Sequence, residues 1–175
     1  GTKEMKPRNE RVFNVVNGSL GEPLGKLFVE QYFSEDSKQY LATMIENLRS
    51  AYKESIVNLT WMSDETKEKA LKKLNAFTYK VGYPDKWKDY SEMDIIPTSY
   101  VKNIIAARKF GCQEMLNKLG KPVDKTEWGM TPQTVNAYYN SSNNEIVFPA
   151  GILQPPFFHK NFDNVSDIII EKTGD

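Results

Sequence analysis

The chain has 175 residues, 23 of them basic and 23 acidic, so its formal net charge is zero. That balance leaves no basic excess for nucleic acid and no polybasic block for a membrane surface, so we expect neither partner. The length suits one structural domain with a sizeable core. A single cysteine, Cys112, excludes an internal disulfide framework. No apolar run approaches a membrane span, and the start does not resemble a secretory signal.

Residues 1–120 predict a helical scaffold. Pro23 opens a short helix, since proline is favourable in a first turn. Residues 35–58 then carry apolar side chains at steps of three and four, which predicts one long amphipathic helix. The stripe that we expect to be buried consists of Leu41, Met44, Ile45, Leu48, Tyr52, Ile56 and Leu59.

Two more helices are predicted further along the scaffold. Ser63 is typical of an N-cap, and the acidic residues Asp64 and Glu65 follow where the helix dipole favours negative charge. The next helix covers residues 99–119, with a glycine as a weak point inside it. Residues 79–97 between them are rich in glycine, proline and tryptophan, and are predicted to be irregular.

From residue 121 the pattern changes to strands. Residues 134–139 alternate as a strand does, residues 140–144 supply turn chemistry, and residues 145–148 form the returning strand. Pro149 closes that strand because it cannot donate to a central ladder. The predicted class is therefore α+β and mostly helical, with long amphipathic helices followed by a small antiparallel element over residues 121–158.

The first of these strands contains a pair suited to holding another backbone. Asn136 offers both a donor and an acceptor, and Ala137 is small enough to let a chain approach. An exposed strand edge can bind an extended peptide through main-chain hydrogen bonds. From the residues alone, the simpler interpretation is that Asn136 caps or bridges within its own sheet.

Seven short motifs in register carry a resemblance to a known family. They are Val16-Asn17-Gly18, residues 25–30 (GKLFVE), 59–62 (LTWM), 82–84 (GYP), 121–124 (KPVD), 135–139 (VNAYY) and 144–158 (NEIVFPAGILQPPFF). The chain resembles the neprilysin and endothelin-converting-enzyme family of zinc metallopeptidases. With one cysteine it is similar to the bacterial, cysteine-poor branch, which suggests a bacterial periplasm or cell envelope.

The resemblance implies a role for the pair and an origin for the chain. In the family, an Asn-Ala pair holds the substrate backbone beside the zinc, and the matching residues here are Asn136 and Ala137. They are the expected substrate-binding residues of a substrate-type edge strand. The chain is then the N-terminal part of a catalytic region, and the remaining catalytic segment of the parent peptidase is an expected partner.

The family's metal motif is not found in this sequence. That motif places two histidines four apart on a helix with a glutamate between them, whereas this chain has one histidine, His159. Because catalytic zinc needs three protein ligands, we expect no metal ligand, catalytic residue or cofactor in this chain, and zinc in the full-length parent. Glu145 has no local partner and is expected to be structural. Asp163 and Asp167 are too loosely spaced for a cation loop.

Residues 159–175 depart from the family pattern and are expected to form a divergent tail. The favoured hypothesis is a fragment of a neprilysin-like zinc metalloendopeptidase, which hydrolyses peptide bonds. This chain would supply scaffold and substrate-binding strand, and would be inactive alone. The alternative is a non-catalytic peptide-binding or interaction module. Restored zinc binding and cleavage on adding the downstream segment would favour the first hypothesis only.

Overall fold

The protein is seen here in a computed structural model that describes residues 4–159. The described helices are α1 (Arg8–Ser19), α2 (Gly21–Tyr32), α3 (Glu35–Asn58), α4 (Asp64–Asn75) and α5 (Tyr100–Leu116). The described strands are β1 (Thr78–Gly82), β2 (Tyr138–Asn140) and β3 (Glu145–Pro149). The mostly helical α+β class is confirmed. Of the predicted tail, only His159 is described, so Asp163 and Asp167 lie outside the described residues.

Serine caps set the starts of three helices. The side-chain oxygen of Ser34 accepts from the Ser37 N–H at 3.3 Å and begins α3. Ser63 and Ser99 open α4 and α5 in the same way, each 3.4 Å from the backbone nitrogen three residues on. The predicted bounds of α3 and the predicted cap of α4 are confirmed. Helix α5 passes through its glycine without a break and ends three residues before the predicted position.

The three strands form one sheet in the order β1–β3–β2. Strand β2 runs antiparallel to β3, as predicted for the hairpin, whereas β1 runs parallel to β3. The sheet is therefore mixed, and the prediction that residues 79–97 are irregular is wrong for β1. The reason is that β1 is short and is stabilised by a distant partner, with Thr78 opposite Glu145 and Gly82 opposite Pro149.

The core lies between the second and third helices and the sheet. Gly82 has a φ of +78°, and an added Cβ there would clash with the Phe33 ring, so this close approach requires glycine. The buried apolar residues of this cluster are Val29, Phe33, Leu41, Ile45, Val81 and Ala150.

None of the helices in the described part of the chain is long and apolar enough to cross a membrane.

Candidate functional site

Strand β2 lies at one edge of the sheet. Its inner side pairs with β3, with Tyr138 opposite Val147 and Asn140 opposite Glu145. Its outer side has no strand partner among residues 4–159. Strand β2 is therefore an edge strand of the described sheet.

Asn136 and Ala137 immediately precede this strand rather than lying within it, so the predicted strand start at residue 134 is wrong. The Asn136 N–H donates to the Thr134 carbonyl oxygen at 3.0 Å, a tight turn that interrupts the extended backbone. The Asn136 Oδ1 accepts from the Ala137 N–H at 2.8 Å. The Asn136 side chain is exposed, so its Nδ2 group remains able to donate to another chain.

The backbone before Asn136 is fixed from two sides. The Gln133 Nε2 donates to Asn17 Oδ1 at 2.6 Å and to the Gly21 carbonyl at 2.9 Å, which ties the segment to the first two helices. On the other side, the Gly151 N–H donates to the Pro132 carbonyl at 2.7 Å. A Cβ at Gly151 would lie 2.6 Å from the Gln133 carbonyl oxygen, so only glycine permits this approach. The entry to β2 is therefore held in place before any ligand binds.

A buried ion pair closes one face of the sheet. Glu145 is 4% exposed, and its carboxylate lies 3.0 Å from the Lys80 Nζ. The same ammonium donates to the carbonyl oxygens of Lys125 and Glu127, both at 2.7 Å. Three acceptors around a lysine that is almost buried satisfy its donors. Glu145 was expected to be structural, and its ion pair with Lys80, 65 residues earlier in the chain, agrees with that role.

The loop that contains Lys125 and Glu127 also contacts the edge strand β2. The Gly129 N–H donates to the Tyr138 hydroxyl oxygen at 2.7 Å. Residues 125–129, here called the 125–129 loop, therefore bind β1 through Lys80 and β2 through Tyr138. Sequence reasoning missed Lys80. The available signal was a charged residue in the alternating run Thr78–Gly82, which nothing nearby in the sequence neutralises.

The opposite face of the sheet borders an open groove between α3, α4 and the strands, with a volume of about 730 Å³. We call it the α3–sheet groove. It is lined mainly by apolar side chains: Leu41, Met44, Ile45, Leu48, Tyr52, Ile56, Ala70, Leu74, Phe77, Val81, Tyr139, Ile146, Phe148 and Leu153, together with Arg49, Lys73 and Asn144. Several of the residues predicted to be buried on α3 are therefore exposed in this groove.

Tyr83 lies beyond the end of β1 and packs against the core next to the Phe33 ring. Burial and a hydrogen bond from its hydroxyl to the Glu35 carboxylate raise the pKa of Tyr83 to about 12. The Lys38 Nζ lies 4.1 Å from the centre of the ring, and Trp87 stacks on it at a centroid distance of 6.1 Å. These contacts join α3 to the loop after β1, so they are structural.

The described residues do not fit a zinc site. Among residues 4–159, no three His, Cys, Asp or Glu side chains are close enough together to hold a metal ion. A catalytic zinc requires three such ligands. The most enclosed carboxylate, Glu145, is engaged by Lys80 instead.

Models of one family match two parts of the chain. Peptidase family M13 is matched by residues 1–84 and again by residues 136–169. Neprilysin-3 of Drosophila melanogaster is 44% identical over 152 residues, which is 83% of this chain and 19% of that protein. Neprilysin of Homo sapiens is 38% identical over 172 residues, which is 94% of this chain and 23% of that protein.

Solved structures of the family share the fold. The Mycobacterium tuberculosis zinc metalloprotease ZMP1 in its open state matches with a TM-score of 0.89 and 46% identity, covering 95% of this chain and 26% of that one. The same protease in complex with an inhibitor matches with a TM-score of 0.83. The chain thus spans about a fifth to a quarter of the relatives that it matches. On these matches and its fold, the chain belongs to peptidase family M13, the neprilysin-type zinc metallopeptidases that its motifs indicated.

Proposed function

We propose that this chain is part of a neprilysin-like zinc metalloendopeptidase, in which it supplies the scaffold and the segment that binds the substrate backbone. Asn136 and Ala137 bind a peptide unit of an extended substrate at the free edge of β2. The zinc site and the proton chemistry lie in the remaining polypeptide, which is the partner of this chain. The partner through the edge is a peptide.

The observation that carries the proposal is the position of the pair at the fixed entry to an edge strand. Strand β2 has an unpaired outer side within the described residues, and the exposed amide of Asn136 stands at its start. Because Gln133 and Gly151 fix the preceding backbone, little conformational entropy is lost when a peptide aligns there. The Nδ2 group donates to a substrate carbonyl, while Ala137 leaves room for the substrate backbone.

The test is Asn136→Ala in this chain extended to the full length of an M13 polypeptide. If the amide donates to the substrate in the transition state, kcat/KM for a peptide falls by about 10- to 100-fold, since an unmade hydrogen bond to a buried group costs about 1–3 kcal/mol. Zinc content should not change, and the free energy of unfolding should fall by no more than about 0.5–1.5 kcal/mol, the contribution of the exposed hydrogen bond from the Ala137 N–H to Asn136 Oδ1.

Asn143→Ala is the matched control. It makes the same chemical change in the same hairpin, but in the turn rather than at the edge. An equal loss of kcat/KM in both variants, or no loss in Asn136→Ala, removes Asn136 from the site. The interaction-module alternative differs in one result. If the extended chain binds peptides at β2 but neither binds zinc nor cleaves them, that alternative holds.

A further inference from the structure

Asn136 and Ala137 lie just outside the ladder that holds β2 in the sheet. The described pairing of β2 with β3 begins at Tyr138, which is opposite Val147. Continuing that register would bring Asn136 opposite Pro149, which has no N–H to donate to a ladder. Because the cross-strand pairing stops before the two residues, their position depends on contacts made by their neighbours in the chain.

Those neighbours are held on both sides. Before the pair, Gln133 is tied to the first two helices by the hydrogen bonds from its Nε2 group. After the pair, half-buried Tyr138 is held through its side chain, since its hydroxyl oxygen accepts from the Gly129 N–H at 2.7 Å. That hydrogen bond closes a span of nine residues, and Asn136 and Ala137 lie inside it. The Tyr138 hydroxyl is thus the second of two anchors for the pair.

The 125–129 loop, which provides this anchor, is itself fixed. The almost buried ammonium of Lys80 donates to the carbonyl oxygens of Lys125 and Glu127, both at 2.7 Å. At the start of the loop, Asp124 Oδ1 accepts from the Thr126 N–H at 2.8 Å and from its hydroxyl at 2.7 Å. Hydrogen bonds to a buried cation and a local turn hold the backbone of the loop. The loop therefore supports β2 from the core of the sheet.

We propose that Tyr138 is a positioning residue for the substrate-binding pair. Its hydroxyl, anchored to the Gly129 N–H, holds Asn136 and Ala137 where they meet the backbone of an extended peptide. Tyr138 acts through the pair and not on the substrate itself. This rests on the proposed function, because it concerns the placing of the same two residues. Hydrogen bonds weaken steeply with misalignment, so a small shift of the pair lowers the rate.

The first test measures the order of the pair without any substrate. Tyr138→Phe keeps the ring and removes only the oxygen. In the 175-residue chain, the NMR order parameters of the Asn136 and Ala137 amides should fall from about 0.85, the value of rigid backbone, towards about 0.6. Tyr139→Phe is the matched control, because its hydroxyl donates to Asn144 Oδ1 in the turn instead. Unchanged order in Tyr138→Phe, or an equal fall in Tyr139→Phe, overturns the inference.

The second test is a double-mutant cycle in the chain extended to full M13 length. Tyr138→Phe should lower kcat/KM for a peptide by about 3- to 10-fold, the range of one neutral hydrogen bond. Added to Asn136→Ala, the same change should cost no more than about twofold, since the amide through which it acts is already gone. A purely structural hydroxyl would give the same loss in both backgrounds, which would overturn the positioning role. Tyr139→Phe should leave kcat/KM nearly unchanged.

Together the two tests separate the positioning role from the proposed function. If Tyr138→Phe loosens the pair but Asn136→Ala leaves kcat/KM unchanged, the proposed function is refuted, while Tyr138 still sets the position of the pair. If Asn136→Ala lowers kcat/KM but the pair stays rigid in Tyr138→Phe, the positioning role alone is refuted.

Discussion

The two faces of the small sheet are covered in different ways. On one face, Glu145, Val147 and Pro149 of β3 are buried, and the 125–129 loop accepts hydrogen bonds from Lys80, the partner of Glu145. On the other face, Ile146 and Phe148 are only partly covered and border the α3–sheet groove. The closed face thus contains a charged pair, while the open face is almost entirely apolar.

In a sheet with one covered and one exposed face, the covered face is usually apolar and the exposed face polar. Here the covered face contains the charged pair and the exposed face is apolar. The difference shows which contacts are internal to these residues. The ion pair on the closed face is satisfied by residues of this chain, whereas the open face borders a groove that the described residues leave open.

The largest expected effect is on the closed face. Lys80→Met removes the cation from a buried carboxylate and leaves the carbonyls of Lys125 and Glu127 without a donor. Breaking a buried pair costs about 3–5 kcal/mol of unfolding free energy. Urea denaturation of the 175-residue chain measures it. Lys69→Met, which breaks the exposed pair with Glu65, should change the midpoint little. Similar midpoints for the two variants would mean that the closed face does not depend on this pair.

The second expected effect compares two leucines of one helix. Leu41 is 2% exposed, so Leu41→Ala should lower the unfolding free energy by about 2–5 kcal/mol through lost burial and a cavity. Leu48→Ala deletes the same atoms from an open position and should cost much less in the 175-residue chain. Denaturant unfolding of both variants gives the difference. Equal losses would show that the groove is already closed in solution.

The smallest expected effect concerns Tyr83. Its folded pKa of about 12 lies above the ordinary value of 10.0, because burial and the Glu35 carboxylate favour the neutral hydroxyl. Its contribution to stability is therefore complete below pH 10 and is lost as the pH rises from 10 to 12. Unfolding free energies measured across this range should fall less steeply in Tyr83→Phe than in the wild type. Parallel curves would show that the phenol titrates normally.

Local signals predicted α2, α3, α4 and α5, whereas α1 was not predicted as a separate helix. The bounds of α3 follow from a serine cap and a repeating stripe, and both are contained in about 25 residues of sequence. Strand β1 was missed because its partner strand is distant in the sequence, with Thr78 opposite Glu145. The ion pair of Lys80 with Glu145 joins residues that are 65 positions apart and was missed for the same reason. The stripe on α3 correctly identified one apolar face, but periodicity does not reveal which element covers each part of it.

In the candidate site, too, local features could be predicted and those that depend on distant contacts could not. The hairpin could be predicted from the turn residues 140–144 and the returning strand after them, although the start of its first strand could not. The turn at Thr134 depends on contacts that Gln133 makes with Asn17 and Gly21, more than 110 residues earlier. The role given to Asn136 came from family resemblance, because an exposed asparagine beside a strand is equally consistent with a local cap.

Hydrogen exchange on the extended chain, with and without a non-cleavable peptide analogue, tests the central claim most directly. If the β2 edge binds the substrate backbone, the amides of residues 136–140 should exchange more slowly when the peptide is present. The amides of Ile146 and Phe148 should already be slow without it, because β3 is paired with a strand on both sides. Slowing confined to the groove, with residues 136–140 unchanged, would contradict the account.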